Sequence, residues 1–385
     1  MLYWLTQNFR DFWVEQGLGT LTNVFRYQTL RTSMAVLTAF LLTMIIAPRV
    51  IRLLRRLKVG SAVDFHLQAI NEKYASKKDT PTMGGLIIVS AVIGSTVLWG
   101  QLGNFYVFLA MLTVVWLAVV GFVDDYLKMV AKSRGGLKMW EKLAFQIGLA
   151  VLLGAFLWAN GRHGIDLPVS IPFPEAGDAM PLNLPFWKHP LALGLFAFMA
   201  VSVLVIGGTS NAVNLTDGMD GLAAGCVALV TMVFMLVAYV TGRVDFSRFL
   251  LFPYVQDVGE LSVFCGAILG SVLGFLWFNC NPARVFMGDT GSLPLGGAIG
   301  FVAMATRQEV MLFIVGGVFV MEAVSVIMQV SYFRFTGGKR IFAGGTPIHH
   351  HFNVHRQWSE TQTVTRFWLI GAMCAALALA TLKIR

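Results

Sequence analysis

Charge is scarce in this chain: Asp, Glu, Lys and Arg make up 13% of its 385 residues, against 56% hydrophobic. With a mean hydropathy of +0.70, it has too little polar surface to enclose its apolar residues as a water-soluble domain does. Cysteine is scarce as well. Cys226, Cys265, Cys280 and Cys374 stand far apart with no CxxC or Cys/His ligand spacing, which argues against a disulfide framework and a zinc site. No stretch reads GxxxxGK[ST], so nucleotide hydrolysis of the P-loop kind is disfavoured. Internal repeats, low-complexity tracts and flexible linkers are missing too, and residues 1–385 read as a single domain.

What the chain does have is apolar sequence in runs of bilayer-spanning length, which needs roughly 20 residues. Ten such runs occur, at about 31–48, 83–100, 105–123, 141–159, 190–207, 221–241, 259–278, 293–306, 310–333 and 364–382. They do not alternate in short segments as barrel strands do. The expected class is an all-α polytopic membrane protein with about ten transmembrane helices. Placing the loops after runs 1, 3, 5, 7 and 9 on one face gives that face most of the 29 Lys and Arg, including RVIRLLRRLK at 49–58. Basic loops stay on the cytoplasmic side, so both termini are expected to be periplasmic. Residues 1–30, with Tyr3, Trp4, Phe9, Phe12 and Trp13, read as an interfacial amphipathic segment, and 160–189 as a periplasmic hairpin or cap. The net charge of +9 is accounted for by topology and anionic membrane lipid, with no nucleic acid as a partner.

Five polar stretches stand out against this background: KKDTPTMGG (77–85), FVDDYLK (122–128), NAVNLTDGMDG (211–221), NPARVFMGDTGS (281–292) and GGTPIHHHF (344–352). Each follows an odd-numbered run, so all five fall on the cytoplasmic face and are expected to build one site. They carry five acids, Asp124, Asp125, Asp217, Asp220 and Asp289. Any one Asp after an apolar helix is as often a solvated cap as a functional group; five on one face shift that balance. The adjacent Asp124 and Asp125 repel each other unless a cation lies close. Oxygen-rich loops of this kind suit Mg²⁺, which takes one or two carboxylates together with water and substrate phosphates. Helices opening after 217–221 and 289–292 direct the positive ends of their dipoles at an anion, and Lys77, Lys78 and Lys128 offset further phosphate charge. Consecutive side chains diverge, so His349, His350 and His351 suit hydrogen bonding to a phosphate, sugar or base better than a shared zinc. Glu322 and Gln329, inside the ninth run, are expected to face the bundle interior, as packing or as substrate contacts.

Together TPTMGG (80–85), FVDDYLK (122–128), NAVNLTDGMDGL (211–222), NPARVFMGDTGSL (281–293) and PIHHHF (347–352) resemble the phospho-N-acetylmuramoyl-pentapeptide-transferase family (translocase I, MraY) of the polyprenyl-phosphate N-acetylhexosamine-1-phosphate transferases. The resemblance runs from about residue 30 to the C-terminus. It implies Mg²⁺-dependent transfer of phospho-MurNAc-pentapeptide from UDP-MurNAc-pentapeptide to undecaprenyl phosphate in a bacterial cytoplasmic (inner) membrane, giving lipid I and UMP for peptidoglycan. It implies catalytic roles for Asp124, Asp125, Asp289 and Lys77, with Asp289 the metal ligand and Asp124 acting on the lipid phosphate. Asn214, Asp217 and Asp220 fall in its nucleoside-side loop, Phe286 near uracil, and Gln329, His349 and His350 along the substrate pocket. Asn279 and His351 complete the substrate-binding set, and a homodimer is implied. Asp79, Gly345 and Asn353 depart from the family's usual residues. The alternatives are a sibling GlcNAc-1-phosphate transferase, a transporter of a phosphorylated metabolite, which would call for inverted repeats and midplane charges, and a non-catalytic lipid-phosphate scaffold.

Overall fold

The computed structural model describes residues 1–17, 19–57, 77, 80–130, 136–161, 165–166, 179–187 and 189–382. Among the described residues ten helices form the bundle: α1 Gln28–Arg56, α2 Gly85–Trp99, α3 Phe105–Val130, α4 Met139–Gly161, α5 Leu195–Thr216, α6 Leu222–Thr241, α7 Leu261–Asn279, α8 Asp289–Ala305, α9 Gly317–Phe335 and α10 Glu360–Ala380. Eight are long and apolar enough to cross a membrane; α2, with 15 residues, and α8, with 17, are shorter. The chain is therefore a multi-pass helical membrane protein.

Every residue of α8 is buried, so this short helix is the axis around which the others pack. Its small residues make that possible. A Cβ at Gly297 would collide with Leu117 of α3, and one at Gly296 or Gly300 with the α5 backbone near Ser210 and Ile206. Between apolar helices in lipid, close packing of this kind replaces the hydrophobic drive available in water. The same device joins α7 to α1, where Gly266, Gly270 and Gly274 recur every four residues and face Thr32, Val36 and Thr43. At the end of the bundle away from Gly85, Arg31 of α1 makes two hydrogen bonds, of 2.6 and 2.5 Å, to Glu260 just before α7.

The sequence expectation needs correction at three points. FVDDYLK is not a loop, because α3 continues through it to Val130. NAVNLT is also helical: α5 runs to Thr216 after a five-residue π-helical stretch, Val203–Gly207, and its polar residues find partners inside the bundle, Asn211 hydrogen-bonding Gln146 of α4 at 2.7 Å. The ninth run is divided at Gly316, with a short helix Glu309–Val315 preceding α9. The N-terminal 23 residues include three short helices, Leu2–Asn8, Arg10–Glu15 and Gly19–Asn23. Much of the expected 160–189 cap lies outside the described residues; what is described pairs Met180–Leu182 with Leu191–Leu193 and Ile165–Asp166 with Tyr254–Val255.

The α1–α7 contact is open to a direct test. Gly270→Val places side-chain atoms where the Val36 backbone lies, and is expected to cost more than about 2 kcal/mol. It should appear as a marked fall in the thermal unfolding temperature of the detergent-solubilised protein. Gly148→Ala on α4, whose added methyl meets nothing, should stay within about 1 kcal/mol of wild type.

Candidate active site

The site begins at the start of α8. Gly288, with φ of +70°, turns the chain so that the helix opens at Asp289. The first amides of a helix have no partner within it, and here Asp125 of α3 supplies one. Its Oδ1 accepts the Asp289 N–H at 3.3 Å, and its Oδ2 accepts the Thr290 N–H at 3.0 Å and the Thr290 hydroxyl at 2.7 Å. One turn back along α3, Gly121 lies against the Asp289 carbonyl so closely that a Cβ would collide with it. The paired acids therefore have different duties. Asp125 joins two helices, while Asp124 and Asp289 face each other.

Two lysines hold that facing pair together. Asp124 Oδ2 accepts from Lys128 at 2.6 Å and Lys142 at 2.9 Å, and Asp289 Oδ2 accepts from Lys142 at 2.6 Å and Lys128 at 3.1 Å. Asp124 Oδ1 takes the Leu137 N–H at 2.8 Å, and Asp289 Oδ1 the Asn214 amide at 2.6 Å. Carboxylate oxygens of Asp124, Asp125 and Asp289 all lie within 4.8 Å of one another, the one group of three such side chains among the described residues. An all-oxygen, multiply anionic donor set of this kind fits a hard divalent cation. Asp217, in the turn after α5, lies beside the cluster. Its enclosure pushes its carboxyl pKa up, the charges of Asp289 and Asp125 push it further, and a hydrogen bond from the Gly288 backbone opposes them.

A second ionic cluster adjoins the first. Lys77 lies between Asp220, at 2.7 Å, and Glu360, at 2.5 Å. The other Asp220 oxygen accepts from Asn281 and from the Ala283 N–H, both at 3.0 Å. Phe286 is half-buried, and its ring centroid is 6.0 Å from the Lys77 ammonium. The loop carrying Phe286 is zipped to the TPTMGG stretch: the Phe286 N–H donates to Pro81, and the Gly84 and Gly85 N–H groups donate to Phe286 and Met287, all within 2.9 Å. Asn279 braces this pair from below, donating to the Val285 carbonyl at 2.9 Å and accepting the Gly221 N–H at 3.0 Å.

The histidines form a third wall. His349 lies 3.1 Å from Glu322, both fully buried, so the acid within the ninth run meets an imidazole inside the bundle. The other face of His349 presses on Gly218, where a Cβ would collide with Nε2. Burial and the neighbouring His349 push the His350 pKa down to about 2, leaving that imidazole neutral at physiological pH. His351 is partly exposed and accepts the Gly344 N–H at 3.3 Å through Nδ1. Gln329 accepts the Ile341 and Phe342 N–H groups at 3.0 and 2.9 Å, fixing the strap over His351, whose ring lies 5.7 Å from that of Phe342. Gly345 has φ of +95°, which a side chain would disfavour. Lys78 and Asp79 lie outside the described residues.

The structure thus brings all five polar stretches together, gives Asn281 of the fourth stretch a contact with Asp220, and adds Lys142 and Glu360 from outside them. Lys142 left one signal: a cation in the first turn of a helix opposes the dipole, and such a residue needs an acid nearby. Glu360 gave none, because an acid in a first turn explains itself.

Profile comparison matches residues 107–307 to Glycosyl transferase family 4, and residues 77–89 to the phospho-N-acetylmuramoyl-pentapeptide-transferase signature 1. Curated relatives carrying the name phospho-N-acetylmuramoyl-pentapeptide-transferase align along the whole chain. That of Thermodesulfovibrio yellowstonii is 44% identical, with 100% of both chains covered. That of Desulfatibacillum aliphaticivorans is 47% identical over 95% of this chain and 96% of its own. The chain belongs to the phospho-N-acetylmuramoyl-pentapeptide-transferase family. It is a membrane transferase of that family, and the family profile spans α3 to the end of α8, including Asp124, Asp125, Asp217, Asp220 and Asp289. Lys77 opens the signature, while Glu360 and the histidines lie beyond both matches.

Asp217 yields a pH prediction. A carboxyl whose pKa is raised by folding stabilises the protein when protonated, and that contribution is lost as pH rises through the folded-state value. In EDTA, Asp217→Asn should therefore unfold at a higher temperature than wild type at pH 7.5, with the difference vanishing towards pH 4.

Proposed function

We infer that this transferase moves phospho-MurNAc-pentapeptide from UDP-MurNAc-pentapeptide to undecaprenyl phosphate in a Mg²⁺-dependent reaction, giving lipid I and UMP, in the bacterial cytoplasmic membrane. The observation that carries the reading is the Asp124, Asp289, Lys128 and Lys142 cluster, where the ends of three apolar helices meet polar loops. A lipid-borne phosphate is confined to headgroup depth and a nucleotide-sugar arrives from water, so their reacting atoms meet at such a boundary. Bonding between the family's named substrate group and this chain is inferred from that geometry together with the kinship to the curated relatives.

A phosphate monoester has its second pKa near 6, so the lipid phosphate is largely dianionic at neutral pH and gains little from a general base. The favoured path is direct attack by its oxygen on the β-phosphorus of the UDP-sugar, forming one P–O bond as the bond to UMP breaks. Held by Asp289 with Asp124 beside it, Mg²⁺ would neutralise diphosphate oxygens and stabilise the departing UMP. The protein's own contribution is placement and charge. Lys128 and Lys142 reach both acids and are positioned to bring two anions together; Asn214 orients Asp289; Lys77, beside Phe286, is placed for the nucleotide's phosphates. Asp125 is committed to the α8 amides, which assigns it a positioning duty. Each oxygen of Asp124 and Asp289 accepts a hydrogen bond from the protein, which fixes both carboxylates in place and leaves each oxygen a lone pair for a cation.

The deciding experiment measures lipid I formation by purified protein with and without Mg²⁺. Turnover with UDP-MurNAc-pentapeptide is expected to require the metal, and to fall by at least about 10²-fold in Asp289→Asn and about 10-fold or more in Lys142→Met, at near-constant unfolding temperature. Turnover with UDP-GlcNAc in place of the muramoyl substrate would assign the sibling reaction instead. UMP-dependent exchange of label into the UDP-substrate without lipid acceptor would establish the covalent path.

A further inference from the structure

Glu360 begins α10, lies outside all five polar stretches and beyond both family matches, and yet is tied into the site more closely than several residues within them. Its Oε1 accepts from the Lys77 ammonium at 2.5 Å and from the Asp220 backbone N–H at 3.0 Å, and its Oε2 accepts from Asn281 at 3.2 Å. Lys77 is thus shared between two carboxylates, and the three charges sum to one negative, which is unfavourable for an incoming diphosphate.

The two acids differ in what they can give up. The Asp220 side chain is 1% exposed, and its second oxygen is fixed by Asn281 and the Ala283 N–H. That of Glu360 is 18% exposed. Deprived of Lys77, Glu360 keeps the Asp220 N–H and Asn281 as donors and has water within reach, so its charge is not left stranded in the interior. The Lys77 ammonium also lies beside Phe286, the aromatic of the nucleoside-side loops.

We propose that Glu360 is a counter-ion latch: it holds Lys77 beside the nucleotide subsite in the substrate-free enzyme and releases it to the diphosphate of the substrate. It is a positioning residue, acting through Lys77 and touching no reacting atom, and the proposal rests on the transferase reading above. Release exchanges one anionic partner of Lys77 for another, so the latch lowers affinity for the nucleotide while keeping Lys77 in place between turnovers.

The test is a double-mutant cycle on the full-length protein, comparing wild type, Glu360→Gln, Lys77→Met and the double variant, with UDP as the probe. Kd is read by calorimetry and, for the Lys77→Met pair, by ³¹P titration into the millimolar range. Glu360→Gln is expected to bind UDP about three- to ten-fold more tightly at unchanged unfolding temperature, and to lower KM for the nucleotide-sugar in parallel. In the Lys77→Met background the same substitution should shift Kd by less than about two-fold. Weaker or unchanged UDP binding in Glu360→Gln would overturn the latch, and would leave Glu360 a brace for the Asp220 turn. Tightening that persists without Lys77 would overturn it too, as plain repulsion between Glu360 and the diphosphate. A wild type that neither binds UDP nor forms product would remove the transferase reading itself, and the latch with it.

Discussion

The hydrogen bonds from the first residues of α8 to Asp125 are the constraint on which the rest of the site depends. α8 is wholly enclosed by the other helices, so its leading amides have no water to turn to, and an unpaired buried N–H costs about 1–3 kcal/mol. Asp125 removes that cost and in doing so sets the height and rotation of α8 against α3. Once this is fixed, Asp289 has one place to go, opposite Asp124, and the repulsion between them calls for the two lysines that the structure provides. Lys128 comes from the turn after Asp124 and Lys142 from the neighbouring helix. One structural contact thus determines where negative charge collects, and the cations follow from it.

Much of this was legible in the sequence, and for identifiable reasons. Membrane length is a property of one segment, so the positions of the ten apolar runs could be read without knowing how they pack. The polar stretches were conspicuous because charge in such a chain is rare. What failed was the boundary between helix and loop at 122–128 and 211–216. There the polar residues remain helical because partners inside the bundle, Gln146 for Asn211, Asp289 for Asn214 and Lys142 for Asp124, satisfy them. Glu322 was visible as an acid in the wrong place, but its partner, His349, comes from another helix and could not be inferred from spacing. Division of labour between Asp124 and Asp125 was hidden for the same reason, since adjacent residues on a helix point about 100° apart and the direction of each depends on rotation about the axis.

The clusters differ in what they tolerate. Around Asp125, Gly121 and α8, backbone lies against backbone and no side chain can be added without moving a helix. Around Lys77, contacts are between side chains, some partly exposed, and ion pairs can be exchanged there without disturbing the bundle. Rigidity under the acids and adjustability around Lys77 suit the proposed transfer, in which a charged leaving group must first be gripped and then let go.

The order of these residues along the chain has its own consequence during synthesis. Lys128 and Lys142 emerge from the ribosome well before Asp289, and Lys77 before both Asp220 and Glu360, the last of them 283 residues later. Asp124 appears ahead of both its lysines, and the gap from Asp124 to Lys128 is a single helical turn. For Asp289, Asp220 and Glu360 the cation is thus made before the acid, and the last helix, through Glu360, completes the ion pairs around Lys77.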